Sequence, residues 1–238
     1  MNLYQPHLVR IEEVIDETVD TRTLKLVFES EALRESFNFK AGQFAEYSVF
    51  GAGECTFCIA SPPTRRGYVE CSFKAVGKVT AAMRELGVGD VMGLRGPYGN
   101  AFPLERLEGR NVVFIAGGIG LAPVRCVIWN VLDLRDRFRD VTIVYGARSV
   151  GDLVYKRELA EWAARKDVKL WQAVDPGGQT PEWKGEVGFV PAIVEKAAPS
   201  SRDAFAVVCG PPIMIKFTLP VLKKLGFAEE NIYTTLEN

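Results

Sequence analysis

The chain has one histidine, His7, and five cysteines among its 238 residues. A single histidine argues against most zinc hydrolases and against hydrolases with a Ser-His-Asp triad. The cysteine count is odd, and four of the five lie in apolar or strand-like runs. This is typical of reduced thiols and not of a disulfide framework, so we expect a cytoplasmic protein whose chemistry uses little histidine.

The sequence also lacks an excess of one charge and a long apolar run. Its 29 basic residues are balanced by 30 acidic ones, which argues against a general nucleic-acid binder. The longest apolar stretch, 111–124, is too short and too rich in glycine to span a bilayer. Residues 1–7 show no charged segment followed by an apolar core, so we expect no signal peptide. With 47% hydrophobic residues, the chain fits one large or two modest globular domains.

The first half of the sequence predicts a small β-barrel. In residues 68–74, apolar and polar side chains alternate with the period of a half-buried strand. Six such runs over about ninety residues predict an antiparallel barrel, with one helix at 80–86 that has Thr80 as its N-cap. The other predicted strands are 8–14, 23–28, 43–50, 57–60 and 91–95.

The second half predicts an α/β domain. Strand-like and helical runs alternate there, which is typical of βαβ units around a parallel sheet. The predicted strands are 112–116, 141–145, 168–174, 205–209 and 232–236, and the predicted helices are 122–134, 153–164, 190–197 and 212–225. The fold class is therefore an antiparallel β-barrel domain followed by an α/β parallel-sheet domain, with a boundary near residues 100–110.

Three loops in the second half follow predicted strands. Ligands of an open parallel sheet bind outside the carboxyl ends of its strands. Gly117–Pro123 would let the backbone approach a diphosphate at a helix N-terminus, and the guanidinium of Arg148 suits a ribose or a phosphate. Cys209–Pro212 forms the third loop. Glycines at one strand end can simply make a tight turn, but three such loops at one edge favour a nucleotide site.

The Gly117–Pro123 loop differs from the fingerprint of Rossmann dehydrogenases. Pro123 stands at the third glycine position, and no acidic residue ends the next strand. In the first half, Gly77–Thr80 offers backbone amides, a hydroxyl and a lysine to a second phosphate, although a capped surface helix explains the same residues.

Together these loops resemble the ferredoxin–NADP reductase superfamily, and the resemblance covers nearly the whole chain. The superfamily joins a flavin-binding barrel to a pyridine-nucleotide domain. Gly117–Pro123 resembles its nucleotide-diphosphate loop, Tyr145–Arg148 its second nucleotide loop, and Cys209–Pro212 with Met214 its C-terminal motif, whose cysteine lies near the nicotinamide. Gly77–Thr80 is similar to its flavin-diphosphate loop.

The flavin-ring motif of this superfamily is similar to Phe57–Pro62, with departures. The motif is commonly Arg-x-Tyr-Ser, where this chain has Cys55-Thr56-Phe57-Cys58. The arginine and the tyrosine hydroxyl are absent, and Cys58 replaces a hydroxyl near the reactive ring nitrogen. The sequence is more similar to one branch, which includes the sulfhydrogenase gamma subunit, the anaerobic sulfite reductase B subunit and the small subunit of bifurcating ferredoxin–NADP reductases. Members of that branch generally lack the arginine and still bind FAD.

That branch usually continues past the last strand into a four-cysteine 2Fe-2S segment. This chain stops at Asn238, about where such a segment would begin. A 2Fe-2S cluster is therefore expected only if a C-terminal segment is missing from this sequence, because a cluster needs about four thiolates brought together.

Cys55 and Cys58 also form a C-x-x-C pair. Residues i and i+3 of a strand face opposite sides, so the two thiols would not converge on a metal ion, and we expect no metal site. The pair has three interpretations. These are a metal site, which we do not expect, a Cys58 that faces the flavin, and plain packing. Cys71 and Cys126 fit core positions.

The resemblance implies residues 1–103 as an FAD-binding domain and residues 108–238 as an NAD(P)-binding domain. It implies positioning roles in hydride transfer for Cys58 and Cys209. It implies FAD contacts at Phe57, Cys58, Ile59, Ala60, Lys74, Gly77, Lys78, Val79 and Thr80. It implies NAD(P) contacts at Gly117, Gly118, Gly120, Pro123, Tyr145, Gly146, Arg148, Cys209, Gly210, Pro211, Pro212 and Met214.

The implied activity is that of a flavin-containing NAD(P)H oxidoreductase subunit. A hydride would pass between nicotinamide and FAD, and single electrons would pass to or from an iron–sulfur partner. The implied partners are hydrogenase, heterodisulfide-reductase-like, sulfite-reductase or ferredoxin-linked subunits. Arg148 and Ser149 suit a 2′-phosphate, whereas Asp152 and the lack of a second basic residue favour NADH. The alternative is a non-catalytic flavin relay subunit that does not itself use NAD(P)H.

Overall fold

The computed structural model describes residues Tyr4–Thr234 and divides into two compact units. The first unit holds the chain up to Phe102 together with Arg125–Asp133. The second holds Pro103–Val124 and the chain from Leu134 onward. Some of the regions discussed above lie outside the described residues. They are residues 1–3, where no signal peptide is expected, residues 235–236 of the predicted last strand, and the chain end at Asn238.

Six antiparallel strands form the sheet of the first unit, which confirms the predicted fold class for this half. Their order in the sheet is β4-β3-β6-β1-β2-β5. The strands are β1 (His7–Asp16), β2 (Thr21–Phe28), β3 (Phe44–Val49), β4 (Gly53–Cys58), β5 (Val69–Lys74) and β6 (Val91–Tyr98).

Strand β5 is buried on both faces, so the predicted half-buried strand is wrong for one face. Val69, Cys71 and Phe73 point into the hydrophobic core, as their alternation predicts. Glu70 and Ser72, the polar residues between them, are buried as well, and each has a polar partner. The hydroxyls of Ser72 and Thr23 lie 2.7 Å apart, and Glu70 pairs with an arginine. Pairing offsets part of the cost of burying these polar groups.

Two helices accompany this sheet, and sequence patterning gave only one of them. Helix α1 (Glu31–Ser36) was not predicted. Helix α2 (Lys78–Glu85) begins two residues before the predicted start, and its N-cap is Gly77 instead of Thr80. Thr80 occupies the third helical position, from which its hydroxyl reaches back to the cap.

The second unit contains a six-stranded sheet in which every pair is parallel, as predicted. The order β10-β9-β8-β7-β11-β12 reverses direction at β7, which creates a crevice at the carboxyl edge beside that strand. The strands are β7 (Asn111–Gly117), β8 (Val141–Ala147), β9 (Val168–Val174), β10 (Glu186–Val187), β11 (Ala204–Cys209) and β12 (Ile232–Thr234). The two-residue strand β10 was not predicted.

A short helix precedes β7, and longer helices connect the strands of this sheet. They are α3 (Leu104–Leu107), α4 (Leu121–Asp133), α5 (Lys156–Ala164), α6 (Val190–Ala197) and α7 (Pro212–Lys224). Helix α5 begins three residues after the predicted start, because Tyr155 takes a left-handed conformation, with φ 54°, and serves as its N-cap. No helix between Tyr4 and Thr234 is long and apolar enough to cross a membrane.

Candidate functional site

The segment that resembles a flavin-ring motif lies at the end of β4. The ring of Phe57 packs 6.3 Å from that of Tyr47 and 6.1 Å from that of Phe73, so it belongs to the core of the first unit. Ile59 and Ala60 are fully buried, whereas Cys58 is only half-buried. Of these four residues, Phe57 and Cys58 are therefore the two that remain partly exposed.

Cys55 is part of the packing around this core. Its sulfur lies 3.4 Å from the Met83 sulfur and 3.9 Å from the Tyr47 carbonyl oxygen. Burial, together with the nearby carboxylates of Glu46 and Glu54, raises the pKa of the Cys55 thiol to about 11. Cys55 therefore stays a neutral thiol near pH 7. Among residues 4–234, no group of three or more metal-binding side chains could hold a metal ion.

The N-terminus of α2 is shaped by Thr80. Its Oγ1 accepts hydrogen bonds from the Val76 amide at 3.0 Å and the Gly77 amide at 2.9 Å, and donates to the Gly77 carbonyl oxygen at 3.0 Å. The hydroxyl is thus used within the protein. The amides of the first helical turn, at Lys78 and Val79, have no partner within the helix and attract an anion.

The surroundings of this helix start fit a diphosphate. A Cβ atom added to Gly77 would meet nothing closer than the Thr80 hydroxyl, 3.9 Å away, so the approach is open. The Lys78 side chain is exposed beside it. Lys74 is held by a 2.8 Å ion pair with Asp20, which neutralises its charge.

In the second unit, two glycine-containing loops pack against each other at the switch point of the sheet. A Cβ atom on Gly120 would lie 2.7 Å from the Gly210 Cα and 2.8 Å from the Cys209 carbonyl oxygen. A Cβ on Gly117 would lie 2.5 Å from the Met214 sulfur. These glycines, together with the buried Met214, are therefore needed for contact between the loops.

Gly118 differs from these glycines, because its Cβ position faces open space. Its φ is 55°, and no atom lies within 4 Å of an added Cβ. The residue begins a 3₁₀ turn that leads directly into α4, and Pro123 lies in the first turn of that helix. The loop thus combines open space beside Gly118 with a helix N-terminus, which suits a nucleotide diphosphate.

The end of β8 carries one buried and one exposed predicted residue. Tyr145 is fully buried, and its hydroxyl accepts a 3.1 Å hydrogen bond from the Val154 amide. A Cβ on Gly146 would lie 2.4 Å from the Val190 side chain. These two residues shape the loop from within. Arg148 is exposed, and the Ser149 hydroxyl donates to Asp152 at 2.7 Å.

Cys209 ends β11 and is nearly buried, with 7% of its surface exposed. Pro211 is the N-cap of α7, and Pro212 is its first residue. The exposed Pro211 and Pro212 lie at the same carboxyl edge as Gly118 and Arg148. The structure therefore brings the three predicted nucleotide loops to one edge of one sheet.

Three polar residues were missed from the sequence. Arg125 and Glu70 form a buried ion pair in the first unit, and Asp175 follows β9 in the second unit. A single charge in the apolar run 121–132 was the available signal for Arg125. Glu70 and Asp175 had no comparable signal, because isolated carboxylates are common on surfaces.

Comparisons with known proteins agree with both halves of this description. The family described as "Oxidoreductase FAD-binding domain" matches residues 9–102. The family described as "Oxidoreductase NAD-binding domain" matches residues 114–219.

Two relatives and one solved structure illustrate the similarity. Sulfhydrogenase 1 subunit gamma of Pyrococcus furiosus is 34% identical over 99% of this chain and 81% of its own. The phenol 2-monooxygenase reductase component DmpP of Pseudomonas sp. strain CF600 is 33% identical over 82% of this chain and 56% of its own. The cytochrome b5 reductase domain of Ulva prolifera nitrate reductase has the same fold, with a TM-score of 0.77 and 23% identity over 98% of both chains.

The groups that these comparisons imply fit the residues present. The open helix start at Gly77 suits the diphosphate of FAD, and the open Gly118 beside a second helix start suits that of NAD(P). The chain belongs to the ferredoxin–NADP reductase superfamily, in the branch of the sulfhydrogenase gamma subunits, and is an NAD(P)H-dependent flavin oxidoreductase.

Proposed function

We propose that this chain is the flavoprotein subunit of an electron-transfer complex, which oxidises NADH and passes single electrons to an iron–sulfur partner. Bound FAD would supply the redox chemistry, because it can take a hydride from the nicotinamide and release the two electrons singly to the partner. The protein supplies alignment and electrostatics for this chemistry, which needs little acid–base assistance.

The observation that carries the proposal is the backbone contact between the loops at Gly120 and Gly210. This contact holds Gly118, whose Cβ position faces open space, and the nearly buried Cys209 at the crevice beside β7. Gly118 then binds the nucleotide diphosphate, Arg148 contacts the ribose, and Cys209 positions the nicotinamide.

In the first unit, we assign the flavin diphosphate to the amides of Lys78 and Val79 and to the exposed Lys78 amine. Cys58 faces the flavin ring, and Ile59 and Ala60 supply backbone contacts to it. Residues 1–103 would then form the FAD-binding domain and residues 108–238 the NAD(P)-binding domain. The ranges matched by the two oxidoreductase families lie within these bounds.

The preference for NADH rests on the carboxylates around Arg148. Asp152 accepts the Ser149 hydroxyl, and Asp175 lies close enough to interact with the Arg148 charge. A 2′-phosphate would meet these negative charges, whereas the hydroxyls of an unphosphorylated ribose would find acceptors.

Membership in a complex is supported by two relatives, one a sulfhydrogenase subunit and the other a reductase component. We infer a hydrogenase, heterodisulfide-reductase-like, sulfite-reductase or ferredoxin-linked iron–sulfur subunit as the partner. The cytoplasmic location stays a prediction.

The test is an anaerobic visible spectrum of the purified, FAD-loaded protein before and after NADH and then NADPH. We expect NADH to bleach the flavin band at a lower concentration than NADPH. Addition of an oxidised 2Fe-2S ferredoxin should then restore the band as the ferredoxin is reduced. A flavin band that neither nucleotide bleaches would favour the relay subunit, and failure to bind FAD would contradict the proposal.

A further inference from the structure

One pair of residues, Glu70 and Arg125, binds both the backbone amide and the backbone carbonyl of Ala60. Its amide donates to the Glu70 carbonyl oxygen at 2.8 Å, and its carbonyl oxygen accepts from Arg125 Nη1 at 3.0 Å. The same Nη1 lies 2.5 Å from the Glu70 carboxylate. Arg125 and Glu70 thus form a clamp around a residue of the segment assigned to the flavin ring.

The clamp is buried and directional. The side chains of Arg125 and Glu70 are 7% and 9% exposed. Removing both charges from water carries a large desolvation cost, and apolar residues of similar volume would often serve stability equally well or better. An ion pair at this position therefore needs a role that packing alone would not fill. Placing a donor on the Ala60 carbonyl is such a role.

Neighbouring contacts fix the rest of the same segment. The Ile59 amide donates to the Gln43 carbonyl oxygen at 3.0 Å, and the Ser61 hydroxyl accepts from the Glu70 amide at 3.1 Å. Residues 59–61 are therefore tied to β5 and to the residue before β3, and Cys58 immediately precedes them. Of these contacts to residues 59–61, the one from Arg125 is made by a side chain of helix α4.

A second ion pair joins that helix to the loop that follows the segment. Arg65 binds the Asp133 carboxylate through two nitrogens, at 2.8 and 3.1 Å, and its guanidinium lies 4.2 Å from the ring centre of Trp129. This pair is more exposed than the clamp, and its hydrogen bonds join Arg65 and Thr64 to Asp133. It offers a matched control, because it has the same helix–loop chemistry without the Ala60 contact.

We propose that Arg125 is a positioning residue for FAD, which sets the backbone of Cys58–Ala60 against the flavin ring through the Ala60 carbonyl and Glu70. The inference rests on the proposed function, because that function assigns this segment to the ring. Arg125 acts through Ala60 and is not itself a catalytic residue.

The decisive variant is the double replacement Arg125→Met with Glu70→Met. It removes both buried charges together, so no unpaired ion remains, and it keeps the backbone bonds of Glu70. We expect thermal unfolding of the FAD-free protein near that of the wild type. We expect FAD affinity, measured by quenching of FAD fluorescence, to fall about tenfold, the effect of losing one hydrogen bond from a charged donor. The visible circular dichroism of the bound flavin should change as well.

Two further variants keep the test independent of folding. Arg65→Met removes the control ion pair and should leave FAD affinity and the flavin dichroism unchanged. Arg125→Lys keeps a charge opposite Glu70 but lacks the planar fork, so it should give an intermediate FAD affinity and a changed flavin midpoint potential.

The outcomes separate the inference from the proposed function. A wild-type chain that does not bind FAD overturns both. A wild-type chain that binds FAD, with the double variant and Arg125→Lys equal to it in affinity and dichroism, overturns the positioning role alone. Equal loss of FAD affinity in Arg65→Met would also overturn it, because any helix–loop contact would then suffice.

Discussion

Gly120 and Gly210 approach so closely that a Cβ atom on Gly120 would lie 2.7 Å from the Gly210 Cα. The two residues are ninety positions apart in sequence, and each stands in a loop after a different strand of the parallel sheet. Their contact joins the proposed diphosphate loop to the loop that contains Cys209. The close approach of these two loops thus depends on the lack of side chains at both positions.

Gly120→Ala should therefore weaken nucleotide binding and leave FAD binding intact. The added methyl group would push the two loops apart, at a cost in unfolding free energy of about 1–3 kcal/mol. We expect the KM for NADH to rise about tenfold or more, measured by anaerobic flavin reduction.

Gly109→Ala is the control for this variant. Gly109 has a positive φ, 71°, which Gly120 does not, and no atom lies within 4 Å of its Cβ position. The substitution should cost about 1 kcal/mol of backbone strain and leave the KM unchanged. A normal KM in Gly120→Ala would mean that loop contact does not shape the nucleotide site.

Thr80→Val should destabilise the first unit and weaken FAD binding. The substitution leaves the Val76 and Gly77 amides without their acceptor, which costs about 1–2 kcal/mol of unfolding free energy. Thr80→Ser keeps the hydroxyl and should retain most of the FAD affinity. Urea unfolding and FAD titration measure the two effects, and identical behaviour of both variants would argue against the capping role.

Asp175→Asn should shift the nucleotide preference toward NADPH. Burial raises the pKa of Asp175, and the nearby Arg148 charge lowers it, so the carboxylate and the guanidinium interact. Loss of the negative charge frees Arg148 to bind a 2′-phosphate. We expect the ratio of kcat/KM for NADPH to that for NADH to rise about tenfold, the effect of one partly screened charge. A ratio that stays constant would remove Asp175 from the account of specificity.

Cys126 should make the protein less stable at alkaline pH. Burial raises the pKa of this thiol to about 12, and a hydrogen bond with the Gly42 backbone partly opposes that shift. In the unfolded chain the thiol ionises near its ordinary pKa of about 8.5. Between these values the folded state holds one more proton than the unfolded state. The unfolding free energy therefore falls by about 1.4 kcal/mol per pH unit because of this group.

Cys126→Ala removes that proton from both states. We expect its urea unfolding free energy to decline less steeply than that of the wild type between pH 9 and 10.5. The comparison isolates Cys126, because every other titrating group is the same in both proteins. Parallel curves would show that the thiol ionises equally in the folded and unfolded chains.

The sequence by itself determined most of the order of strands and helices, without α1, α3 and β10, and the positions of the glycine-containing loops. Strand β9 and helix α6 were predicted with their observed bounds, because their apolar periodicity and their flanking loops are local properties of the chain. The glycine loops were identified for the same reason, since each follows its strand directly.

Only the tertiary structure decided how individual side chains are used. Tyr145 and Thr80 were predicted as ligand contacts, yet their hydroxyls bind backbone amides of the protein. Strand β5 carries the polar pattern of an exposed face, yet that face is buried by partners from elsewhere in the chain. Glu70 and Arg125 are 55 residues apart, and no local pattern relates them. Their pairing depends on long-range folding, because the charge of each residue becomes tolerable in the interior only when the other is beside it.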